Sequence, residues 1–281
     1  MKDIVKTSVL ESTAHWTASI RAMENARQDA LFKDPWAILL AGKEGQEWIE
    51  GRSADSLAPI ILRTRYFDEF LQRITGHEGI NQVTLMAAGL DTRAFRLDWP
   101  PGTRLFELDQ PDILAYKERI LNSAGAQPAC ERHAIGIDLT EPWEDKLVLG
   151  GFDPQKPAVW LLEGFLFYIS SEDVTLLIDG VSGMATDGSW MGFDIINSVM
   201  LTSPFSRQWV EMQAKSGAPW IGILDDPQEF LSVRGWQATL TQAGQPDANY
   251  NRWPFPVYPV MMPDMPHNWF VTAHKETSKD E

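Results

Sequence analysis

Cysteine is almost absent. Cys130 stands alone in 281 residues, which leaves no intrachain disulfide framework and fits a reducing compartment. Its apolar setting reads as a buried structural thiol. Long hydrophobic runs are missing too. The most apolar stretch, 158–169, is broken by Glu163 and is too short to span a bilayer, and Met1 to Trp16 holds no apolar segment of the kind a secretory signal needs. Basic residues are outnumbered, 24 against 39 acidic, and the formal net charge of −15 argues against nucleic acid or an anionic membrane as partner. A soluble, cytoplasmic protein is the expectation. The five histidines, at 15, 77, 133, 267 and 274, show no metal-ligand spacing, so no metal site is expected. No P-loop, no G-x-S-x-G and no complete G-x-G-x-x-G occurs.

What is present is a core. A hydrophobic fraction of 44% needs no staples, and the length suits one α/β domain, with or without an insertion. The first eighty or so residues read as helices. Asp34-Pro35 has the form of a helix start leading into Trp36, Ile38, Leu39 and Leu40. From Ser56 to Ile74 apolar residues recur at steps of three and four, the mark of an amphipathic helix. Seven short runs then read as strands: Val83–Ala87, Arg104–Leu108, Glu131–Ile137, Ala158–Leu162, Trp190–Ile196, Trp236–Leu240 and Asn268–His274. Crossover helices fit between the early ones, as at Pro111–Ala124 and Ser171–Met184. Strands alternating with helices predict a doubly wound, mainly parallel seven-stranded sheet. The expected chain is thus one α/β domain with a helical cap (1–80), a core (81–275) and a mobile tail (276–281). Between about 203 and 265 the rhythm lapses into a segment rich in Trp, Met and Pro, suited to cover a ligand or simply to pack on the sheet.

The most informative run is Val83-Thr84-Leu85-Met86-Ala87-Ala88-Gly89-Leu90-Asp91-Thr92-Arg93, followed by Leu105-Phe106-Glu107-Leu108-Asp109. A buried strand, a small-residue turn and a second strand ending in a carboxylate build an adenosine-binding edge in α/β proteins. Gly89 lets a ligand approach the backbone, Ala87 and Ala88 keep the turn narrow, and Asp109 is placed to accept hydrogen bonds from a ribose. Asp91 or Thr92 can cap the next helix. This pattern alone leaves the adenosine cofactor open. After the third strand, Asp138 could accept an adenine amine and the Leu139 N–H could reach a ring nitrogen. Glu163 ends an apolar strand, wants a donor, and falls where α/β ligands bind. Ile60, Arg63, Phe67, Phe70 and Ile74 share one helix face, so Arg63 sits inside an apolar stripe and must meet a carboxylate of the protein or of a ligand. Arg65 points roughly the other way, where Glu69 lies at i+4.

These residues closely resemble the leucine carboxyl methyltransferase-like family of class I S-adenosylmethionine-dependent methyltransferases, which includes bacterial polyketide O-methyltransferases. The resemblance rests on Ala88 to Leu97, on Phe106 to Pro111, and on the helix Arg63-Thr64-Arg65-Tyr66-Phe67-Asp68. It rests also on Ile137-Asp138-Leu139, Glu163-Gly164 with Tyr168, and Gly235-Trp236, and it runs from about Ala14 to about His274. It implies that Arg63 grips the cofactor carboxylate, that Gly89 lies under the methionine part and that Asp109 holds the ribose. It implies further that Asp138 and Leu139 hold the adenine, that Glu163 meets the amine or its surroundings, and that Arg21 lies nearby. Ala87 departs from the pattern, standing where many members carry the first glycine of the turn.

Methyl transfer from a sulfonium needs alignment of donor and acceptor more than chemical assistance. A carboxylate acceptor needs no base, whereas a phenol or alcohol benefits from one. Tyr168 is the candidate for facing the acceptor; His133 and His267 read as structural. The Met- and aromatic-rich segment favours a small apolar or aromatic acceptor, polyketide-like, over a protein carboxyl terminus. A nicotinamide-dependent oxidoreductase and a non-catalytic binding module are the other readings. A homo-oligomer is compatible with the sequence, but no feature indicates one.

Overall fold

The computed structural model describes residues 7–276, with side chains from residue 12 onward. The predicted tail therefore lies, beyond Glu276, outside the described residues. Three helices come first: α1 (Thr7–Asn25), α2 (Ala37–Ile49) and α3 (Ala54–His77). The sheet and its crossovers follow as β1 (Gln82–Met86), α4 (Arg93–Arg96), β2 (Arg104–Asp109), α5 (Pro111–Ser123), β3 (Glu131–Gly136), α6 (Glu144–Leu149), β4 (Val159–Leu162), α7 (Ser171–Met184) and β5 (Trp190–Ile196). The remainder is α8 (Ser198–Thr202), α9 (Arg207–Lys215), α10 (Pro227–Ser232), β6 (Trp236–Gln242) and β7 (Asn268–Lys275).

All seven predicted strands form, in the order β3-β2-β1-β4-β5-β7-β6. The pairs among β3, β2, β1, β4 and β5 are parallel, and β7 runs antiparallel to both β5 and β6. Alternating side chains divide the apolar residues between two faces. Phe106, Leu108, Trp160, Leu162, Phe193 and Ile195 share one face, in a cluster with Trp143, Leu147 and Phe152 around α6 and with Val174, Leu177, Ile178 and Val181 of α7. Val83, Leu85, Leu105, Val159 and Leu161 face the other way, onto Phe67, Phe70, Leu71 and Ile74 of α3. Burial on both faces is why the central strands read as unbroken apolar runs. β3 ends the sheet on one side and carries Glu131, Arg132 and His133. Among the described residues no helix is long and apolar enough to cross a membrane.

The helical cap is tied together by polar detail. Asp34 starts α2 as expected, its Oδ1 accepting the Ala37 N–H at 3.1 Å. α2 breaks at Gly42, φ +58°, and His15 of α1 sits within 3.0 and 3.1 Å of the Leu40 and Ala41 carbonyls released there. The predicted surface pair of α3 also forms, with Arg65 donating to Glu69 at 2.6 Å.

Segment 203–265 divides into two parts. Ala218, Trp220 and Ile223 pack behind Phe167 and Tyr168. There the N–H groups of Ile221 and Gly222 donate to the Phe167 carbonyl at 2.8 and 3.2 Å. Its proline-rich end has no regular structure and leaves Phe255, Tyr258, Met261 and Met262 exposed.

A Cβ on Gly222 would lie 2.1 Å from the Leu166 carbonyl and 2.5 Å from that of Ile169, so backbone would have to yield. Gly222→Ala is expected to lower the unfolding free energy by about 1–3 kcal/mol in urea denaturation; an unchanged midpoint would show that this seam is loose.

Candidate active site

Arg21, Arg63, Gly89, Asp109, Asp138, Leu139, Glu163 and Tyr168, the residues singled out in the sequence, all line one cavity. It lies at the carboxyl ends of β1 to β4, where the strand order turns back on itself: β2 and β4 flank β1 and lead in opposite directions. Crevices form at such switch points. α1 and α3 close the cavity from above with Thr13, Ala14, Thr17, Ile60 and Thr64.

The floor follows from the turn after β1. Ala87 and Gly89 both adopt left-handed backbone, with φ of +54° and +43°. For Gly89 this is free of strain, and its N–H donates to Asp109 Oδ2 at 2.6 Å. The other carboxylate oxygen accepts the Gln110 N–H at 2.7 Å. Two bonds to a group with about four acceptor positions leave capacity for a ligand. Burial pushes the Asp109 carboxyl above its ordinary value, against the pull of those two N–H groups. Just past the neighbouring strand β3, Asp138 Oδ1 accepts from the Thr140 N–H at 2.9 Å and its hydroxyl at 2.8 Å. That turn sets Asp138 and Leu139 at the cavity border.

The opposite end is ionic. Arg63 is only 8% exposed, and its Nε donates to Glu163 Oε1 at 3.0 Å and its Nη1 to Asp194 Oδ2 at 2.8 Å. Of the two carboxylate sources the apolar stripe allowed, the protein supplies both of these. Burial alone would weaken the proton on Arg63, but Asp194 and Glu163 outweigh it and raise its pKa. Gly164, at φ +73°, is required here, because a Cβ on it would lie 2.8 Å from Arg63 Nη2. Its N–H donates to Asp194 Oδ1 at 2.6 Å.

The ionic lattice extends well beyond the residues picked from sequence. Glu163 Oε2 accepts from Arg93 Nη2 at 2.7 Å, and Arg93 also reaches Asp68 at 2.6 Å and Asp91. Arg96 binds Asp68 through two nitrogens at 2.6 and 2.7 Å. Arg21 donates to Asp34 at 2.8 Å and to the Leu90 carbonyl at 2.6 Å. Thr92 does not cap with its hydroxyl, which turns to Asp34 at 2.7 Å; Asp91 Oδ1 instead takes the Arg93 N–H at 2.6 Å. Asp34, Asp68, Arg93, Arg96 and Asp194 were missed. Asp194 had a legible signal, a carboxylate within the apolar strand Met191 to Ile196, the same signal that marked Glu163.

Tyr168 closes the far wall from the short 3₁₀ turn Leu166–Tyr168, and burial pushes its phenol up to about 12. Residues 218–223 pack behind the Tyr168 wall, and the residues lining the cavity come from outside 203–265. His133 stacks on Phe106 with ring centres 4.9 Å apart, and His267 stays between Gln242 and the Met262 carbonyl at 2.8 and 3.0 Å. Both are structural. Cys130 is half-buried against the α3 side of the sheet, and burial pushes its thiol up to about 12.

Comparison with known proteins agrees. The leucine carboxyl methyltransferase profile matches residues 14–182. A Frankia alni protein named as an S-adenosyl-L-methionine-dependent methyltransferase is 36% identical, covering 88% of this chain and 90% of its own. One of the same name from Mycolicibacterium paratuberculosis is 41% identical, covering 88% and 87%. Among solved structures, a DUF574 family protein from Streptomyces avermitilis superposes with a TM-score of 0.60 at 14% identity, covering 92% of this chain and 96% of its own. A protein from Thermobifida fusca described as a methyltransferase gives 0.57 at 14% identity, covering 92% and 94%. Fold and relatives together define the class, an α/β methyltransferase that uses S-adenosylmethionine. The chain belongs to the leucine carboxyl methyltransferase family. The nicotinamide-dependent and non-catalytic readings are thereby overturned.

Two substitutions probe the floor. Ala87→Gly is expected to raise the unfolding free energy by about 1 kcal/mol, since only the Cβ opposes the left-handed backbone; calorimetric melting would show no gain if Ala87 were unstrained. Asp109→Ala is expected to weaken S-adenosylmethionine at least tenfold or so in titration calorimetry, with unchanged affinity counting against any contact there.

Proposed function

We propose that this chain is an O-methyltransferase of small metabolites with an apolar or aromatic body, polyketide-like, accepting the methyl group on a carboxylate or an acidic hydroxyl. The residues present fit S-adenosylmethionine by their chemistry. Asp109 would hold the ribose diol, and Asp138 with the Leu139 backbone would hold the adenine. Gly89 would leave room over the floor for the methionine part. Arg63, Glu163 and nearby Arg21 would bracket the charged amino-acid end. The cofactor supplies an already activated methyl group. The chain's residues then have to align the acceptor and exclude water.

The observation that carries the acceptor reading is the state of the titratable groups in the wall. Glu163 and Asp91 are tied to buried guanidiniums, and the Tyr168 phenol, up at about 12, keeps its proton at neutral pH. The two carboxylates are occupied as acceptors, and the Tyr168 hydroxyl can donate to an acceptor oxygen, so none of the three is placed to take a proton from one. An acceptor that arrives ionised needs nothing more, and Ile60, Phe165, Tyr168 and Ile169 offer apolar surface for its body. A cytoplasmic location belongs to the same proposal, on the strength of the lone cysteine. So does the avoidance of nucleic acid and anionic membrane, on the strength of the −15 charge.

Methyl-labelled cofactor should be incubated with aromatic carboxylic acids, phenols, aliphatic alcohols and a peptide ending in leucine. Label is expected on a small aromatic acid or phenol, with kcat/KM following that acceptor's own ionisation. Transfer confined to the peptide would give the protein-carboxyl reading the field, and transfer to un-ionised alcohols would require a base this reading lacks.

A further inference from the structure

Arg93 is a buried charge held by several partners at once. It is 1% exposed, yet three carboxylates and a carbonyl converge on it. Nε donates to Asp68 Oδ1 at 2.6 Å, Nη1 to Asp91 Oδ2, and Nη2 to Glu163 Oε2 at 2.7 Å and to the Thr64 carbonyl at 3.3 Å. These partners come from three places: Thr64 and Asp68 from α3, Asp91 from the turn after β1, and Glu163 from the end of β4. Thr64, Asp91 and Glu163 are all cavity walls. A guanidinium holds its donors in one rigid plane, whereas an ammonium carries three rotatable donors on a flexible stem and cannot fix these partners in the same geometry.

Glu163 is gripped from two sides, by Arg93 on Oε2 and by Arg63 on Oε1, which fixes the plane of its carboxylate. Asp91 is held likewise. Burial pushes its carboxyl up, but Arg93, with Arg96 and Arg21 behind it, pulls it down to about 2, so the group is ionised throughout the physiological range. Asp68 lies outside the cavity lining and is anchored bidentately by Arg96, which gives Arg93 a rigid foothold on α3.

We propose that Arg93 is a positioning residue for methyl transfer: it touches neither reacting atom, and it sets Glu163 and Asp91 in the geometry that receives the amino-acid end of the cofactor. This rests on the cofactor assignment and is independent of the acceptor, so the test uses no acceptor.

Arg93→Lys keeps the charge and removes the fork. Two ligands distinguish positioning from mere structure: S-adenosylmethionine, and 5′-methylthioadenosine, which keeps the nucleoside and lacks the amino-acid end. By calorimetry the variant is expected to bind S-adenosylmethionine about tenfold or more weakly than the wild type, while methylthioadenosine changes by no more than about twofold. Asp68→Asn loosens the same guanidinium from outside the cavity and remains informative should Arg93→Lys fail to fold. It is expected to show the same selectivity at about threefold or more. Equal losses for both ligands in the variant measured would make Arg93 a structural strut, and undiminished S-adenosylmethionine affinity would remove any role. Either result overturns the proposal. Loss of wild-type binding to both ligands would instead strike at the cofactor assignment itself.

Discussion

Buried guanidinium groups that need carboxylates are the constraint on which this architecture turns. Arg21, Arg63, Arg93 and Arg96 are interlaced with Asp34, Asp68, Asp91, Glu163 and Asp194, and most of these side chains are nearly out of solvent. Desolvating any one of them alone is costly, and removing one partner from a buried pair is worth about 3–5 kcal/mol. The lattice can therefore exist only when α3, the β1 turn, the ends of β4 and β5, and the α1–α2 junction are all in place together. It exchanges stability for definition: a core of hydrocarbon would be as stable and could not hold a charged ligand in one orientation.

The sheet determines where that lattice can sit. A charge within a strand buried on both faces has to be paired, as Glu107 is by Lys117 and Arg132 and Asp194 by Arg63, whereas Asp109 and Glu163 lie at or just past the carboxyl ends of β2 and β4, on the cavity. Reversal of strand order at β1 and β4 opens the gap into which they point. Ala87 shows how tightly the turn is determined, since a residue with a Cβ is held in backbone that favours glycine.

Much of this was legible in the sequence because it is local. Apolar runs bounded by turn residues located every strand, Ala-Ala-Gly marked a narrow turn without revealing the left-handed backbone at Ala87, and a lone arginine in an apolar stripe announced a carboxylate partner, of the protein or of a ligand. What escaped notice was long-range. Arg63 meets Asp194 from 131 positions away and Arg93 meets Glu163 from 70, and no local pattern says which of several charges will find each other. In segment 203–265 composition did not separate a cover from packing on the sheet: Phe205 is 73% exposed and Met261 53%, yet Leu231 and Trp236 join the core, β6 joins the sheet, and 218–223 packs behind the Tyr168 wall.

The outer strand β3 has a consequence for behaviour in concentrated solution. An edge strand offers an open row of peptide groups to any passing chain. Here that row is fenced by charge already spoken for: Arg132 is clasped by Glu107 and Glu118, and His133 and Arg104 both lean on Glu131. A foreign strand would have to strip water from these groups and offer nothing better, so the rim that borders the adenine side of the cavity resists templated aggregation without the need of a covering helix.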